Sequence, residues 1–262
     1  MEKTKTSALS LLTDNKKGSS ELVLELNNII KANIKKKDYI LDLVKDAKKE
    51  LKAFASVQNY LSEVDKLLKK NPLSLSEYIQ NFERDYADAS LKIYRKGKVI
   101  LKDAETFVTL SNSGIVFNFL KMLSKEKKSL KVIVTESRPV MEGRNMAKKL
   151  LKEGIKVQLI TEAMLPHFIN QSDAVLTGSD VILKNGNIVN KTGTRSAAII
   201  AKHFNKPFYV VAEKLKVSKG TSFEKGDHPA DEVWNHKDAK LTVHNFYFEE
   251  VRGELITKII TD

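Results

Sequence analysis

From about residue 98 onward, short apolar runs alternate with amphipathic stretches, and this alternation limits the possible folds more than any other feature of the chain. The runs are apolar at successive positions, as in strands that are covered on both faces. Amphipathic stretches between such strands predict a mostly parallel sheet that is covered by helices. The predicted strands are 107–110, 132–134, 157–160, 174–176 and 208–211, and the predicted helices are 115–123, 146–151, 164–169 and 197–204.

The first third of the chain has a different pattern. Between residues 18 and 97 there is no glycine and only one proline, and apolar residues recur at helical spacing. This pattern predicts a helical bundle. Asp38 and Ser74 are expected to cap two of its helices, with a break at Asn71-Pro72. We therefore predict two domains, a helical domain at 1–96 and an α/β domain at 97–262.

The composition narrows the class of protein. The 262 residues are 42% hydrophobic and 30% charged, which is typical of a globular protein rather than a disordered or membrane-embedded one. No run approaches the roughly 18 apolar residues of a membrane span, and the N-terminus lacks a signal-peptide pattern, so we expect a cytoplasmic protein. The absence of cysteine excludes a thiolate nucleophile and sulfur-ligated metals. The five histidines lack metal-site spacing, so neither a metal nor a cofactor is predicted.

The net charge of +12 raises the question of nucleic-acid binding. Much of the lysine lies in mixed helical faces such as 45–52, where carboxylates alternate with ammonium groups. Such faces are typical of a solvated surface that is rich in ion pairs. No RNA-recognition, KH, zinc-finger or OB motif is found, so the sequence argues against direct nucleic-acid binding. Attraction to a partner that itself carries RNA stays open.

Polar residues follow four of the predicted strands. They are SNSG at 111–114, TESRP at 135–139, TGSD at 177–180 and AEK at 212–214. Because the carboxyl ends of parallel strands meet at one edge, these residues are expected to share a crevice, which is where such sheets bind ligands. The glycine patterns of standard Rossmann and P-loop sites are missing, which disfavours nucleotide binding of those kinds.

The stretch 174–194 contains the most detailed signal for function. Asp180 ends a buried run, a Gly-Asn hairpin follows at 186–187, and Asn190, Lys191 and Thr194 precede an apolar helical pattern. A helix N-terminus with free N–H groups beside a lysine is an anion site, so a phosphorylated small molecule could bind opposite Asp180. The same residues could instead be structural, with Asp180 in a hydrogen-bonded turn and Thr194 as the helix cap.

Five motifs carry a resemblance to a known family. They are ESRP-x-x-x-G at 136–143, GSD at 178–180, NG-x-x-x-NK-x-GT at 185–194, a GSSE helix start at 18–21 and the ELIT-x-x-x-TD stretch at 254–262. Together they resemble the family that joins the alpha, beta and delta subunits of translation initiation factor 2B to two sugar-phosphate isomerases. The isomerases act on ribose 1,5-bisphosphate and on methylthioribose 1-phosphate. The resemblance implies a helical N-terminal domain and a Rossmann-like C-terminal domain, through which members usually dimerise.

The resemblance also implies roles for residues of the crevice. Family isomerases use an aspartate and a cysteine; here the aspartate is Asp180, but Ser111 takes the cysteine position and Leu110 the preceding histidine position. A serine hydroxyl is a poor substitute for a thiol without a neighbouring general base. Arg138 could bind ligand or form a structural ion pair with Glu136 or Asp180. The ligand-binding positions of the family fall on Lys17, Gly18, Ser19, Arg138, Glu142, Asn190, Lys191, Gly193 and Thr194.

The phosphate contacts of the family isomerases are altered here. Their R-G-[AS] motif reads Lys17-Gly18-Ser19 in this chain, and their R-P-T motif matches Asn71-Pro72-Leu73. Loss of a bidentate arginine removes a charge from a phosphate clamp. Glu142 replaces a glutamine that touches substrate, which adds a negative charge near a dianion. Together these changes argue against efficient isomerisation.

Three functions are compatible with these observations. The first is a regulatory or binding subunit similar to initiation factor 2B. It would be homodimeric, would associate with initiation factor 2 or sister subunits, and would keep a pocket for a sugar phosphate or nucleoside monophosphate. The alternative is an isomerase of a phosphorylated pentose that uses Asp180 without the family cysteine. The third is an orphan dimer that shares only the fold. The missing thiol favours the first.

Overall fold

The computed structural model describes residues 18–52, 54–224 and 226–262. The first four helices in these ranges form the predicted helical region. They are α1 (Ser19–Ala32), α2 (Lys37–Glu50), α3 (Ala55–Lys70) and α4 (Pro72–Ile100). Their apolar faces share one core that includes Leu26, Tyr60 and Ile79, and the buried Tyr60 hydroxyl donates to the Asn27 side-chain oxygen at 2.9 Å. No helix in the described ranges is long and apolar enough to cross a bilayer.

Both predicted helix caps are wrong, whereas the predicted break is confirmed. Helix α2 begins at Lys37, so Asp38 lies inside its first turn, where a carboxylate still favours the helix dipole. Helix α4 is capped by Asn71, whose side-chain oxygen accepts from the N–H groups of Leu73 and Ser74 at 3.1 and 3.4 Å. Ser74 therefore lies within the helix. Asn71, the residue matched with an arginine of the isomerases, acts here as a helix cap.

Helix α4 runs across the predicted domain boundary between residues 96 and 97. Its first half contributes Phe82 to the helical core, and its second half contributes Ile93 and Tyr94 to the core under the sheet. Gly97 allows the close approach, because a Cβ atom at this position would clash with the Phe119 ring. We retain the proposal of two domains, 1–96 and 97–262, with α4 packed against both.

The rest of the described chain alternates strands and helices. The elements are β1 (Thr106–Thr109), α5 (Gly114–Glu126), β2 (Lys131–Thr135), α6 (Gly143–Lys152), β3 (Lys156–Ile160), α7 (Leu165–Gln171), β4 (Ala174–Thr177), β5 (Val181–Ile182), β6 (Ile188–Lys191), α8 (Thr194–His203), β7 (Phe208–Val211), β8 (Phe248–Val251) and β9 (Lys258–Ile260). The predicted strands and helices are confirmed, with ends that differ by at most three residues. Strands β8 and β9 were not predicted.

The predicted α/β architecture is confirmed. A six-stranded parallel sheet has the order β3-β2-β1-β4-β7-β9. Successive residues of each strand point to opposite faces, so Phe107 packs against α4, α5 and α6, whereas Val108 packs against α7 and α8. Helices therefore cover both faces, which explains why the strands read as continuous apolar runs.

A second, antiparallel sheet of β5, β6 and β8 extends from the carboxyl end of β4. The predicted hairpin at 186–187 joins β5 to β6, and Gly186 has a φ of +83°, a conformation that glycine adopts readily. Strand β8 pairs with β6, so that Asn190 lies opposite Glu249 and Lys191 opposite Phe248. This pairing places a distant part of the chain beside the predicted anion motif.

Candidate functional site

The predicted crevice lies where the strand order reverses, between the carboxyl ends of β1 and β4. Ser111 follows β1, Asp180 follows β4, and the start of α1 borders the same space from the helical region. The cavity measures about 40 Å³, which is room for a few water molecules. Six of the predicted site residues line it, namely Gly18, Ser19, Ser111, Asp180, Asn190 and Lys191.

Asp180 is held from both sides of the crevice. The Ser19 hydroxyl donates to Asp180 Oδ1 at 2.8 Å, and the Asp180 N–H donates to the Val189 carbonyl at 2.9 Å. The backbone bond continues the antiparallel β5–β6 pairing, whereas the side-chain bond joins residues 161 positions apart. Because the carboxylate is half-buried and lines the cavity, it can both hold the helical region and meet a ligand.

Ser111 has a neighbour that the sequence did not reveal. Its hydroxyl donates to Glu142 Oε1 at 3.2 Å, and its N–H donates to the buried Ser137 hydroxyl at 2.7 Å. Ser111 and Ser137 have φ values of 62° and 63°, which are uncommon for residues other than glycine and recur at functional sites. Leu110 is buried in the core below and supplies no base. Glu142 is thus the carboxylate that could act on the serine hydroxyl.

Glu142 is placed between Ser111 and Lys191. Its Oε1 atom lies 3.8 Å from the Lys191 ammonium, while its Oε2 atom is buried and has no hydrogen-bond partner among the described residues. A buried carboxylate oxygen without a donor is costly, so this atom favours a ligand hydroxyl or a water molecule beside it. The following residue must be glycine, because a Cβ atom at Gly143 would clash with the Thr135 carbonyl.

Lys191 is positioned by two aromatic rings. Its ammonium lies 4.6 Å from the centre of the Phe248 ring and 5.0 Å from that of Tyr247, which are cation–π distances. The preceding Asn190 side chain is buried and donates to the Thr177 hydroxyl at 3.0 Å. Asn190 therefore ties β6 to the end of β4, and Lys191 is the residue of this pair whose charge faces the crevice.

The start of α8 does not offer the free N–H groups that we predicted. The N–H groups of Gly193 and Arg195 both donate to Glu249 Oε1, at 2.7 and 2.9 Å. Glu249 is 8% exposed, so the protein's own carboxylate occupies the position predicted for an anion. Thr194 is the first residue of the helix rather than its cap, and its hydroxyl donates to the Lys191 carbonyl at 2.5 Å. An acidic residue in the apolar segment 246–251 was the only signal for this contact in the sequence.

The start of α1 is the helix N-terminus that opens on the crevice. Gly18 precedes this helix of 14 residues, and no described side chain caps it. Lys216 lines the same cavity, is 3% exposed, and lies 3.3 Å from Glu213. A helix N-terminus with Lys191 and Lys216 nearby retains the chemistry of an anion site. Lys17, matched with the first residue of the family's R-G-[AS] motif, lies outside the described residues.

Glu213 connects the sheet to the helical region. It follows β7, is 2% exposed, and accepts hydrogen bonds from the Tyr86 hydroxyl and, at 3.5 Å, from the Ser20 hydroxyl. Burial alone would raise the pKa of Glu213, but the charge of Lys216 and the Tyr86 bond hold this pKa below its ordinary value. Burial raises the pKa of Tyr86 well above its ordinary value. The strand-end pattern placed Glu213 near the crevice but did not reveal these partners.

Arg138 lies on the outer side of the site. Its guanidinium donates to the Val233 carbonyl at 3.3 Å. The proposed ion pair with Glu136 is not formed, because Glu136 pairs with Arg144 at 2.8 Å. Arg138 shares a separate cleft of about 10 Å³ with Glu142, so that Glu142 stands between it and the crevice.

A larger cavity of about 620 Å³ lies next to Lys191 and was not predicted from the sequence. Its volume is in the range of small-molecule sites. Aromatic side chains from three distant segments line it, namely Phe54, Phe223, Tyr247 and Phe248. His228 also lines it and stacks on Tyr247 at 3.6 Å, and burial lowers the pKa of this histidine. Within the described ranges, no group of three His, Asp or Glu side chains is arranged to hold a metal ion.

Residues 5–262 match the initiation factor 2 subunit family. The chain belongs to this family. It is 36% identical over 180 residues to the ribose 1,5-bisphosphate isomerase of Archaeoglobus fulgidus, and the match covers 66% of this chain and 58% of that isomerase. Matches to other curated relatives also leave a third or more of the relative's length uncovered.

Solved structures of related proteins share the fold. The translation initiation factor eIF-2B of Pyrococcus horikoshii OT3 superposes with a TM-score of 0.85 at 24% identity, over 100% of this chain and 95% of that one. The tetrameric eIF2B-beta2-delta2 complex of C. thermophilum gives a TM-score of 0.82 at 18% identity, over 97% and 90%. The family includes both translation-factor subunits and sugar-phosphate isomerases, and the fold alone does not choose between them.

Proposed function

We propose that this protein is a regulatory or binding subunit of the initiation factor 2B type and does not catalyse isomerisation. The observation that carries the proposal is the hydroxyl of Ser111 beside a crevice of about 40 Å³, at the position where the resemblance to family isomerases implies a cysteine. Because the sequence contains no cysteine, no thiolate from another position can replace it.

The charges at the crevice argue against a sugar bisphosphate as a substrate. Glu142 and Asp180 place two carboxylates near Lys191, and Glu249 already neutralises the start of α8. A substrate with two phosphate dianions would be repelled by these groups. Any sugar phosphate would need more than the present 40 Å³, so binding requires a movement of the helical region away from the sheet.

The proposed ligand is a sugar phosphate or a nucleoside monophosphate. Its single phosphate would lie at the start of α1, where Lys191 and Lys216 supply positive charge. Its hydroxyl groups would donate to Asp180 and to Glu142, whose Oε2 atom has no described donor. Such a ligand would contact both the helical region and the sheet. It could therefore change how these two regions pack, which is what a sensor that signals ligand binding to partner subunits requires.

The ligand is tested by thermal unfolding with ribose 5-phosphate or AMP, with ribose and adenosine as uncharged controls. A ligand at about 100 times its Kd should stabilise the protein by about 2.7 kcal/mol. Lys191→Ala should abolish this shift, whereas Lys214→Ala, at an exposed lysine, should keep it. A shift that survives Lys191→Ala would place the ligand elsewhere.

The proposed partners are initiation factor 2, sister subunits and a second copy of this chain. The support is the likeness to an eIF2B complex of beta and delta subunits. Co-purification of tagged protein from its own cells should recover subunits of initiation factor 2 or of a 2B-like assembly. An unrelated tagged protein of equal charge controls for ionic capture. Recovery of the bait alone would contradict the partner proposal.

An isomerase is the second candidate, and the Ser111–Glu142 contact is the observation that favours it. Glu142 could serve as the general base that the serine otherwise lacks, with Asp180 across the cavity. Purified protein is incubated with ribose 1,5-bisphosphate and methylthioribose 1-phosphate, and ketose formation is followed by NMR. We expect none. Turnover that Asp180→Asn removes would establish the isomerase and end the first proposal.

A further inference from the structure

A cluster of lysines lies at the amino ends of β2 and β3, on the side of the sheet opposite the crevice. Lys131 begins β2 and Lys156 begins β3, and helices α5 and α6 end shortly before these strands. Parallel strands place their amino ends at one edge. We call this surface the basic edge and define it by Lys102, Lys125, Lys128, Lys131, Lys152 and Lys156.

Two side-chain contacts make the basic edge one continuous surface. The Lys127 ammonium donates to the carbonyls of Leu101 and Ala104, at 3.3 and 2.7 Å, and so joins the end of α5 to the end of α4. Lys121 and Glu153 form an ion pair of 2.8 Å that joins α5 to the end of α6. The lysines in the last turns of these helices or directly after them therefore border the same strands.

The lysines of the basic edge form no ion pair with any residue that the structure describes. Nearby carboxylates are paired elsewhere: Glu126 lies 2.9 Å from Lys98, and Glu153 is paired with Lys121. Asp103 is exposed on the loop after α4 and pairs with none of the six. Glu105, whose carbonyl accepts from the Lys131 N–H, is also exposed at this edge, and Asp173 accepts from the N–H groups of Glu105 and Thr106. Carboxylates are therefore present, but none of the six lysines pairs with one within the described ranges.

The strand register brings like charges together. Lys131 and Lys156 are directly paired residues of the parallel β2–β3 ladder. Like charges at paired positions destabilise a sheet. Lysines in the last turn of a helix, such as Lys125 and Lys152, are explained by the helix dipole, but these two strand residues are not. Lysine on the edge strand β3 can keep other strands from pairing with it, but this does not account for Lys131 on the inner strand β2. An external anion would relieve the repulsion between the two lysines.

We propose that the basic edge binds the phosphate backbone of double-stranded nucleic acid. An acidic protein segment would match the charge, but protein interfaces depend on apolar anchors that fill pockets. The basic edge is bordered by Ser129 and Gly154, and the exposed apolar side chains beside it, Leu151 and Val99, lie on different helices. Backbone binding needs only ammonium groups, so it is independent of base sequence and of the recognition modules that this chain lacks.

The test measures binding of the full chain to labelled RNA and DNA duplexes of one sequence, about 20 base pairs long, by fluorescence anisotropy. If all six lysines contact phosphate, affinity should fall about 1,000-fold between about 50 and 200 mM salt. Changing Lys128, Lys131 and Lys156 to glutamine should make the log–log salt slope shallower by about 2.7. A preference for one duplex would identify the source of the phosphate.

The matched control changes Lys35, Lys37 and Lys45 to glutamine, three exposed lysines of the helical region. It removes the same charge and should leave the salt slope unchanged. Circular dichroism shows whether each variant is folded, and if the edge triple variant is not, Lys128→Gln alone should make the slope shallower by about 0.9. Equal weakening by the control would overturn the proposal. So would binding of polyglutamate without binding of either duplex, which would assign the edge to an acidic protein.

Discussion

Charged side chains at the carboxyl ends of the central strands (the carboxyl edge) have internal partners, whereas the lysines of the basic edge, at the amino ends (the amino edge), form no ion pair that the structure describes. At the carboxyl edge, four acidic side chains near the crevice each have an internal partner, as seen for Asp180 with Ser19, Glu142 with Lys191, Glu213 with Lys216 and Glu249 with the start of α8. At the amino edge, the lysines of the basic edge have no ion pair within the described ranges. Burial explains the contrast, because a charge removed from water needs a partner and an exposed lysine does not. A ligand at the carboxyl edge must therefore compete with internal contacts, whereas an anion at the amino edge has no described ion pair to displace.

The largest effect should come from the most deeply buried pair. Lys216→Met leaves Glu213 buried without its cation, and removing one partner of a buried ion pair costs about 3–5 kcal/mol. Guanidinium unfolding followed by circular dichroism measures the loss. Lys214→Met, two residues away and exposed, should change stability by less than about 0.5 kcal/mol. Equal losses of stability in the two variants would show that Glu213 does not depend on Lys216 as its buried partner.

A smaller loss is expected where Glu249 caps α8. Glu249→Ala removes a charged acceptor from the N–H groups of Gly193 and Arg195, at a cost of about 1.5–3 kcal/mol. The freed N–H groups should then bind anions, so sulfate should stabilise the variant more than the parent. Glu254→Ala, at an exposed position, is the control for both measurements. Equal sulfate effects in variant and parent would show that the helix start is closed by something other than Glu249.

The fold was largely predictable because its signals are local. Strands covered on both faces read as apolar runs, and the hairpin needed only Gly186 in its turn. The wrong helix caps have a local cause as well. Asn71 and Ser74 are both good capping residues, and the sequence does not show which one precedes the first turn of α4. The N-cap of α2 is Lys36, which has no capping side chain, so the nearby Asp38 was predicted in its place.

The sequence could not predict which side chains at the site are hydrogen-bonded to one another, because these pairs are far apart along the chain. Glu142 reaches Ser111, and Glu249 reaches the start of α8, across 31 and 54 to 56 positions of chain. Such pairs depend on sheet register and loop path, which no single-sequence period encodes. Glu213 was predicted at a strand end, but its bond to Tyr86 required the packing of α4. The sequence therefore located the crevice and six of the residues that line it, but not the acidic partners that neutralise its charges.

Acid pH should weaken the carboxyl edge through Glu213. The pKa of Glu213 is below its ordinary value in the folded protein, so its contribution is present above the ordinary glutamate pKa and is lost as pH falls through the folded value. The pKa of His228 is also lowered, so the contribution of His228 to stability is likewise lost as pH falls, but over a range of higher pH than that of Glu213. Urea midpoints measured from about pH 7 to about pH 3 should fall less steeply in Lys216→Met, which lacks the cation that lowers the pKa of Glu213. Parallel curves would show that Lys216 does not set this pKa.

The smallest expected effect is a gain in stability at the amino edge. Lys156→Glu places a carboxylate opposite Lys131, which should stabilise the protein by about 0.2–1 kcal/mol at low salt. The gain should vanish near 1 M salt, where the screening length is about 3 Å. Lys184→Glu, exposed in the β5–β6 hairpin, makes the same charge change without a paired lysine and should show no gain. If the Lys156→Glu variant is more stable but no longer binds the duplexes, the repulsion between Lys131 and Lys156 is present in the free protein and is relieved by the bound phosphate backbone. A loss of stability instead would mean that Lys131 and Lys156 do not repel each other in the folded sheet.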